Sequence, residues 1–195
     1  MNQEQALSLL KETKLVAILR GIPVKQATDI ATALYDGGVR VLEFTFDHDD
    51  PDCVAHNCQR IRAVKKIFGD EMVVGCGTAL TVQEVEASVE AGGQIVISPN
   101  VDVSVIAKTK ALGAISMPGA LTPTEIVMAY NAGADIVKLF PAGTLGVPYI
   151  KAVRGPLGYI PMSAVGGVRP ETIADFLNVG VCGFGVGGEL VKKEF

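Results

Sequence analysis

The sequence predicts an α/β chain folded as one compact (β/α)8, or TIM, barrel over residues 1–195. Three observations lead there. Short apolar runs alternate with amphipathic stretches along the whole chain, the pattern of βαβ units on a parallel sheet. The apolar runs number eight, at 15–19, 39–46, 72–75, 95–98, 114–117, 136–140, 160–164 and 183–187, and eight units close a barrel. A weak internal repeat ending in glycine precedes several of them, as in Asp36-Gly37, Ala91-Gly92, Ala132-Gly133 and Val179-Gly180. An open doubly wound sheet is the competing arrangement. No G-x-G-x-x-G opens the first unit, which argues against a dinucleotide site.

Helical patterns occupy 24–35, 53–67, 81–91, 103–112, 123–132, 148–153 and 170–179. Many start at a capping residue or a proline, as at Thr81, Asp102, Thr122-Pro123 and Arg169-Pro170, where side-chain oxygens satisfy free amides and proline loses nothing by lacking one. Many stop at glycine, as at Gly92, Gly113, Gly133 and Gly180, the residue that most easily turns out of a helix. After the eighth run only 189–195 remain, so the eighth helix is expected to be short or missing.

Composition narrows the function classes. A chain of 195 residues is long enough to bury roughly 70% of its unfolded surface in one core. The net charge of −4 leaves no basic footprint for nucleic acid. No run of about 18 apolar residues marks a membrane span, and Met1-Asn2-Gln3-Glu4-Gln5 lacks a basic-then-apolar signal pattern. The four cysteines form no C-x-x-C pair. Cys76 and Cys182 read as small core residues, with reduced thiols in the cytoplasm. His48 and His56 lack zinc-site spacing. The loop Asp47-His48-Asp49-Asp50 reads as solvated, with a metal site as a weak second reading; neither a metal centre nor a cofactor is expected.

Lys138 is the most informative residue. It stands within Ile136-Val137-Lys138-Leu139-Phe140, a run built to be buried, although lysine is rarely buried unless paired or functional. Burial penalises the ammonium, and a neutral amine attacks carbonyls to form Schiff bases. The plainer reading is a strand-end lysine that snorkels to water. Strand alternation puts Val41, Glu43 and Thr45 on one face and Ile136, Lys138 and Phe140 on one face. If both faces are interior, Glu43 and Lys138 converge as a candidate acid/base and a candidate nucleophile. A buried structural ion pair is the alternative.

Other candidates sit at strand ends. Gly166-Gly167 and Gly187-Gly188 follow the seventh and eighth runs, where such barrels often hold phosphate on backbone amides; tight turns alone would also call for glycine. Thr78 and Pro99 end the third and fourth runs and read equally as catalytic-face residues or as cap and turn. Arg20 closes the first run and suits a carboxylate or phosphate, or plain surface.

Together these residues resemble the 2-keto-3-deoxy-6-phosphogluconate (KDPG) / 4-hydroxy-2-oxoglutarate (KHG) aldolase family. The resemblance rests on Val16-Ala17-Ile18-Leu19-Arg20, Val41-Leu42-Glu43-Phe44-Thr45, Gly75-Cys76-Gly77-Thr78, Ile97-Ser98-Pro99, Met117-Pro118-Gly119-Ala120-Leu121-Thr122-Pro123, Val137-Lys138-Leu139-Phe140-Pro141-Ala142 and Gly166-Gly167-Val168. It implies a metal-free class I aldolase, usually a homotrimer, that releases pyruvate from a keto sugar acid phosphate. It implies Lys138 as the Schiff-base lysine and Glu43 as the proton shuttle. Thr78 and Pro99 would line the pyruvate portion, Arg20 would meet the substrate's polar end, and Gly166, Gly167, Gly187 and Gly188 would hold phosphate.

Three positions depart from that pattern. Asp47 stands where many members carry a carboxylate-binding arginine, Val165 where many carry threonine, and Gly188 where a serine often helps bind phosphate. Each missing neutral hydrogen bond costs about 0.5–1.5 kcal/mol. The leading expectation is cleavage of KDPG to pyruvate and glyceraldehyde 3-phosphate, with 4-hydroxy-2-oxoglutarate as a further substrate. The alternatives are an aldolase for 2-keto-3-deoxy-6-phosphogalactonate, or a sugar-phosphate epimerase or binding protein on the same barrel.

Overall fold

A computed structural model describes residues 1–191 and gives the expected barrel. Its strands are β1 (Leu15–Leu19), β2 (Val41–Thr45), β3 (Val73–Gly77), β4 (Ile95–Ile97), β5 (Ile115–Met117), β6 (Gly119–Ala120), β7 (Val137–Leu139), β8 (Met162–Val165) and β9 (Gly183–Val186). All pairings are parallel, in the order β5-β4-β3-β2-β1-β9-β8-β7-β6. The two end strands are one run of chain divided at Pro118, whose nitrogen has no hydrogen to give a ladder. The Lys138 amide donates to the Pro118 carbonyl at 2.9 Å and the Ile136 amide to that of Ser116 at 3.4 Å. The ring therefore closes as eight staves, as the eight apolar runs require.

Seven helices lie where the periodicity puts them: α2 (Ala27–Asp36), α3 (Cys53–Phe68), α4 (Val82–Glu90), α5 (Val103–Ala111), α6 (Pro123–Asn131), α7 (Ala142–Leu157) and α8 (Pro170–Asn178). Thr81 and Thr122 form capping boxes with Glu84 and Glu125, and Asp102 accepts from the amides of Ser104 and Val105. Helix α7 is much longer than its expected 148–153. It is two helical pieces joined at Gly146, whose φ of 73° only glycine adopts freely.

One element is absent from the periodicity reading. Helix α1 (Gln3–Thr13) precedes the first strand, opened by a capping box between Asn2 and Gln5. The polar opening pentapeptide is thus a helix cap. Side-chain hydrogen bonds from both sides tie this end of the chain to the barrel: Gln3 Nε2 of α1 donates to the Ala114 carbonyl at 2.9 Å, and Gln94 Nε2, next to β4, donates to the Met1 carbonyl at 3.1 Å. After β9, Gly187 accepts from the amides of Leu190 and Val191 in a turn. The expected short or missing eighth helix would lie mostly beyond the described residues.

The core has an inside and an outside. Inside the barrel, Val16, Val41, Val73, Ile95, Ile115, Ile136 and Val165 pack together, with Ala6 and Leu10 of α1 as a floor. Alternate strand residues face outward and meet the helices, as Leu42, Phe44, Val74 and Cys76 do on one side and Leu139, Met162 and Phe184 on the other. Cys76 is fully buried on this outer side, and burial pushes its thiol up to about 12. It is a packing residue, and all four cysteines are free.

Candidate active site

A cavity of about 540 Å³ opens at the C-terminal ends of the strands. It is lined by all nine residues singled out in the sequence: Arg20, Glu43, Thr78, Pro99, Lys138, Gly166, Gly167, Gly187 and Gly188. They come from seven of the strands or the turns just after them, β1, β2, β3, β4, β7, β8 and β9, so no local stretch of sequence contains the site.

Glu43 and Lys138 point into the barrel from β2 and β7, above the apolar layers. Both are buried, at 2% and 7% exposure. Among the described residues they form no direct ion pair, so the reading as a closed structural pair does not hold. Glu43 Oε2 is buried with no hydrogen-bond partner, a costly arrangement for a carboxylate. Burial raises the Glu43 carboxyl to about 7, against the opposing pull of Lys138 and Arg20. Burial likewise lowers Lys138, with Arg20 adding to the shift and Glu43 opposing it. The Glu43 carboxyl therefore titrates close to neutrality, beside an amine whose charged form burial disfavours.

Glycine makes room for this carboxylate. Gly77 ends β3 directly beside Glu43, and any side chain there would collide with the carboxyl group. Gly185 on β9 similarly lies against Val165 and Ile18, where a Cβ would come within 3.1 Å of both. These interior glycines thin the barrel wall where the cavity begins.

Thr78 lies just beyond β3 with φ of 59°. A β-branched residue is a genuine outlier there, and such strain persists where surrounding structure enforces it, commonly at functional sites. Gly166 and Gly167 also have positive φ, 85° and 72°. The Gly166 carbonyl accepts from the Gly143 amide at 2.7 Å, which pins this turn to the start of α7. Among the described residues the amides of Gly167 and Gly188 meet no protein acceptor, so both remain able to bind an anion.

Two further lining residues carry chemistry that the sequence reading did not assign. Phe140 shares the Lys138 face, with its ring centroid 4.7 Å from Lys138 Nζ. Arg169 stands at the rim, where the sequence showed only the start of a helix. The alternation already visible in Ile136, Lys138 and Phe140 could have found the first; nothing local distinguishes the second. Asp47 is exposed and does not line this cavity. In the acidic loop His56 meets Asp50 at 2.7 Å and His48 meets Glu84 at 2.8 Å. Among the described residues no group of three or more metal-ligating side chains gathers, there or elsewhere. Among them, too, no helix is long and apolar enough to cross a membrane.

A family model described as KDPG and KHG aldolase matches residues 7–195. A probable 2-dehydro-3-deoxy-6-phosphogalactonate aldolase of Rhizobium meliloti (strain 1021) is 37% identical over 182 residues, 93% of this chain and 83% of that protein. A KHG/KDPG aldolase of Escherichia coli (strain K12) is 33% identical over 174 residues, 88% of this chain and 78% of that protein. A solved structure described as native KDPGal superposes with a TM-score of 0.85 at 35% identity, covering 93% of this chain and 85% of that one.

Proposed function

The chain belongs to the KDPG and KHG aldolase family of carbon–carbon lyases, and from that premise we propose that it is a class I aldolase releasing pyruvate from a 2-keto-3-deoxy-6-phospho sugar acid. The observation that carries the reading is the buried, unpaired Glu43 facing the buried Lys138 across one cavity. A lysine lowered by burial supplies the free amine that imine formation needs. A carboxyl raised to about 7 can both accept and return a proton near neutrality.

The steps follow from these two groups. Lys138 Nζ attacks the C2 carbonyl, and loss of water gives the iminium. Glu43 takes the proton of the C4 hydroxyl; the C3–C4 bond breaks, and its electron pair moves into the iminium as an enamine. The aldehyde departs. Glu43 returns its proton to C3, and water hydrolyses the resulting iminium to free pyruvate and Lys138. The Phe140 ring beside Nζ favours the cationic imine over its uncharged precursors. Thr78 and Pro99 border the pyruvate portion, Arg20 takes the carboxylate end, and the free amides of Gly167 and Gly188 take the phosphate, with Gly166 and Gly187 shaping their turns. An active homotrimer is part of the same reading, supported by the family resemblance.

The relatives named for the phosphogalactonate substrate are 37% and 35% identical, against 33% for the KHG/KDPG aldolase. This favours 2-keto-3-deoxy-6-phosphogalactonate over its gluconate epimer. A comparison of kcat/KM for the two epimers decides between them.

Incubation with pyruvate and borohydride tests the mechanism. A reduced pyruvyl adduct mapped to Lys138 by mass spectrometry is expected. Folded protein without that adduct overturns the imine and favours epimerase or binding-protein chemistry.

A further inference from the structure

Ten residues line the cavity from β8, β9 and the turns that follow them: 165–169 and 185–189. Nine of these are valine, glycine or glutamate. Arg169 alone carries a side-chain hydrogen-bond donor. Val165 and Gly188 offer no hydroxyl, so without Arg169 this end would rely on backbone amides. It also carries an opposing charge, the exposed Glu189.

Arg169 is suited to an anionic ligand. It is exposed and forms no ion pair or side-chain hydrogen bond among the described residues. Its position is fixed at the backbone: the Arg169 amide donates to the Thr172 hydroxyl at 3.2 Å, and its carbonyl accepts from the same hydroxyl at 2.9 Å. It follows the Gly166-Gly167 turn by two residues. The other two cations of the cavity, Arg20 after β1 and Lys138 on β7, belong to other staves of the barrel, and the aldolase reading gives them the carboxylate and the imine. The free amides of Gly167 and Gly188 face this end without a formal charge, and among the residues lining it only Arg169 adds a cation to them.

We propose that Arg169 binds the substrate phosphate and sets the preference for phosphorylated over unphosphorylated substrates. The inference rests on the aldolase reading above. A guanidinium offers paired donors in the geometry of phosphate oxygens, which a lysine matches only in charge.

The test is steady-state kinetics of the full chain, Arg169→Ala and Arg169→Lys, on the cleaved 6-phospho epimer and on 4-hydroxy-2-oxoglutarate, which has no phosphate. For Arg169→Ala, KM for the phosphorylated substrate should rise about 10- to 100-fold with kcat changed little, as expected for losing charge-assisted hydrogen bonds. Arg169→Lys should recover part of that loss. Turnover of 4-hydroxy-2-oxoglutarate should be unchanged, which also shows that each variant is folded. Glu189→Gln should lower KM for the phosphorylated substrate alone. An unaltered KM in Arg169→Ala, or an equal fall on both substrates, overturns the role of Arg169 and leaves the aldolase reading standing. A wild type that cleaves neither substrate overturns both.

Discussion

Glu43 occupies the space that a side chain on Gly77 would need. A Cβ built on Gly77 would overlap the Glu43 carboxyl group, and even Oε1, the farthest of its three carboxyl atoms, would lie at 2.8 Å. Glu43 pairs in register with Gly75 on β3, so Gly77 sits one interior position further up the wall, level with the carboxylate. The missing side chain on one strand is what allows the acid on its neighbour to reach the cavity.

Gly77→Ala should therefore displace the carboxylate and leave the lysine in place. A shift of about 1 Å in a reacting group can cost on the order of 100-fold in rate. The variant should still give the borohydride-trapped pyruvate adduct while kcat for cleavage falls by about that factor. Wild-type kcat in the variant would mean that Glu43 tolerates the crowding and that Gly77 has no positioning role.

Glu43→Gln separates catalysis from stability. Removing an acid/base of this kind costs about 100- to 10,000-fold in kcat. Stability should respond in the other direction. The folded carboxyl is raised from 4.5 to about 7 by burial, so protonation favours the fold. That contribution is complete below pH 4.5 and is lost as pH rises through 7. The shift corresponds to about 3 kcal/mol, and glutamine does not titrate. Urea unfolding should show the variant gaining about that much over wild type between pH 4.5 and pH 8. A difference independent of pH would contradict a buried, raised carboxyl.

Thr78→Gly tests whether strain is held for function. Relief of a left-handed β-branched residue is worth about 1–2 kcal/mol, offset by about 0.5–1 kcal/mol of extra chain entropy. Stability should stay level or rise slightly while kcat/KM falls, because the side chain borders the cavity. A clearly less stable variant would show that Thr78 serves packing instead.

Leu10→Ala tests the floor of the barrel. Leu10 is 3% exposed and packs with the interior valines and isoleucines. Its truncation should cost about 2–5 kcal/mol in urea unfolding. A loss under about 0.5 kcal/mol would mean that α1 is a loosely held appendage.

What the sequence determined by itself follows from short-range physics. Apolar runs of strand length, capping residues and glycine stops repeat often enough to count eight units. Strand alternation puts Glu43 and Lys138 on interior faces once a barrel is assumed, and all nine candidate residues meet in one cavity. Helix α1 escaped that reading because its apolar stripe is thin; only Ala6 and Leu10 are buried, and they matter through the floor they close. Tertiary structure alone decided the rest. The barrel brings β2, β3 and β7 together, so only the closed ring reveals that Gly77 clears space for Glu43, that Glu43 and Lys138 form no ion pair among the described residues, and that Arg169 is the sole side-chain donor among the cavity residues of β8, β9 and their turns. Each depends on distances between residues far apart in the chain, and burial sets their protonation only after the surrounding staves have excluded water.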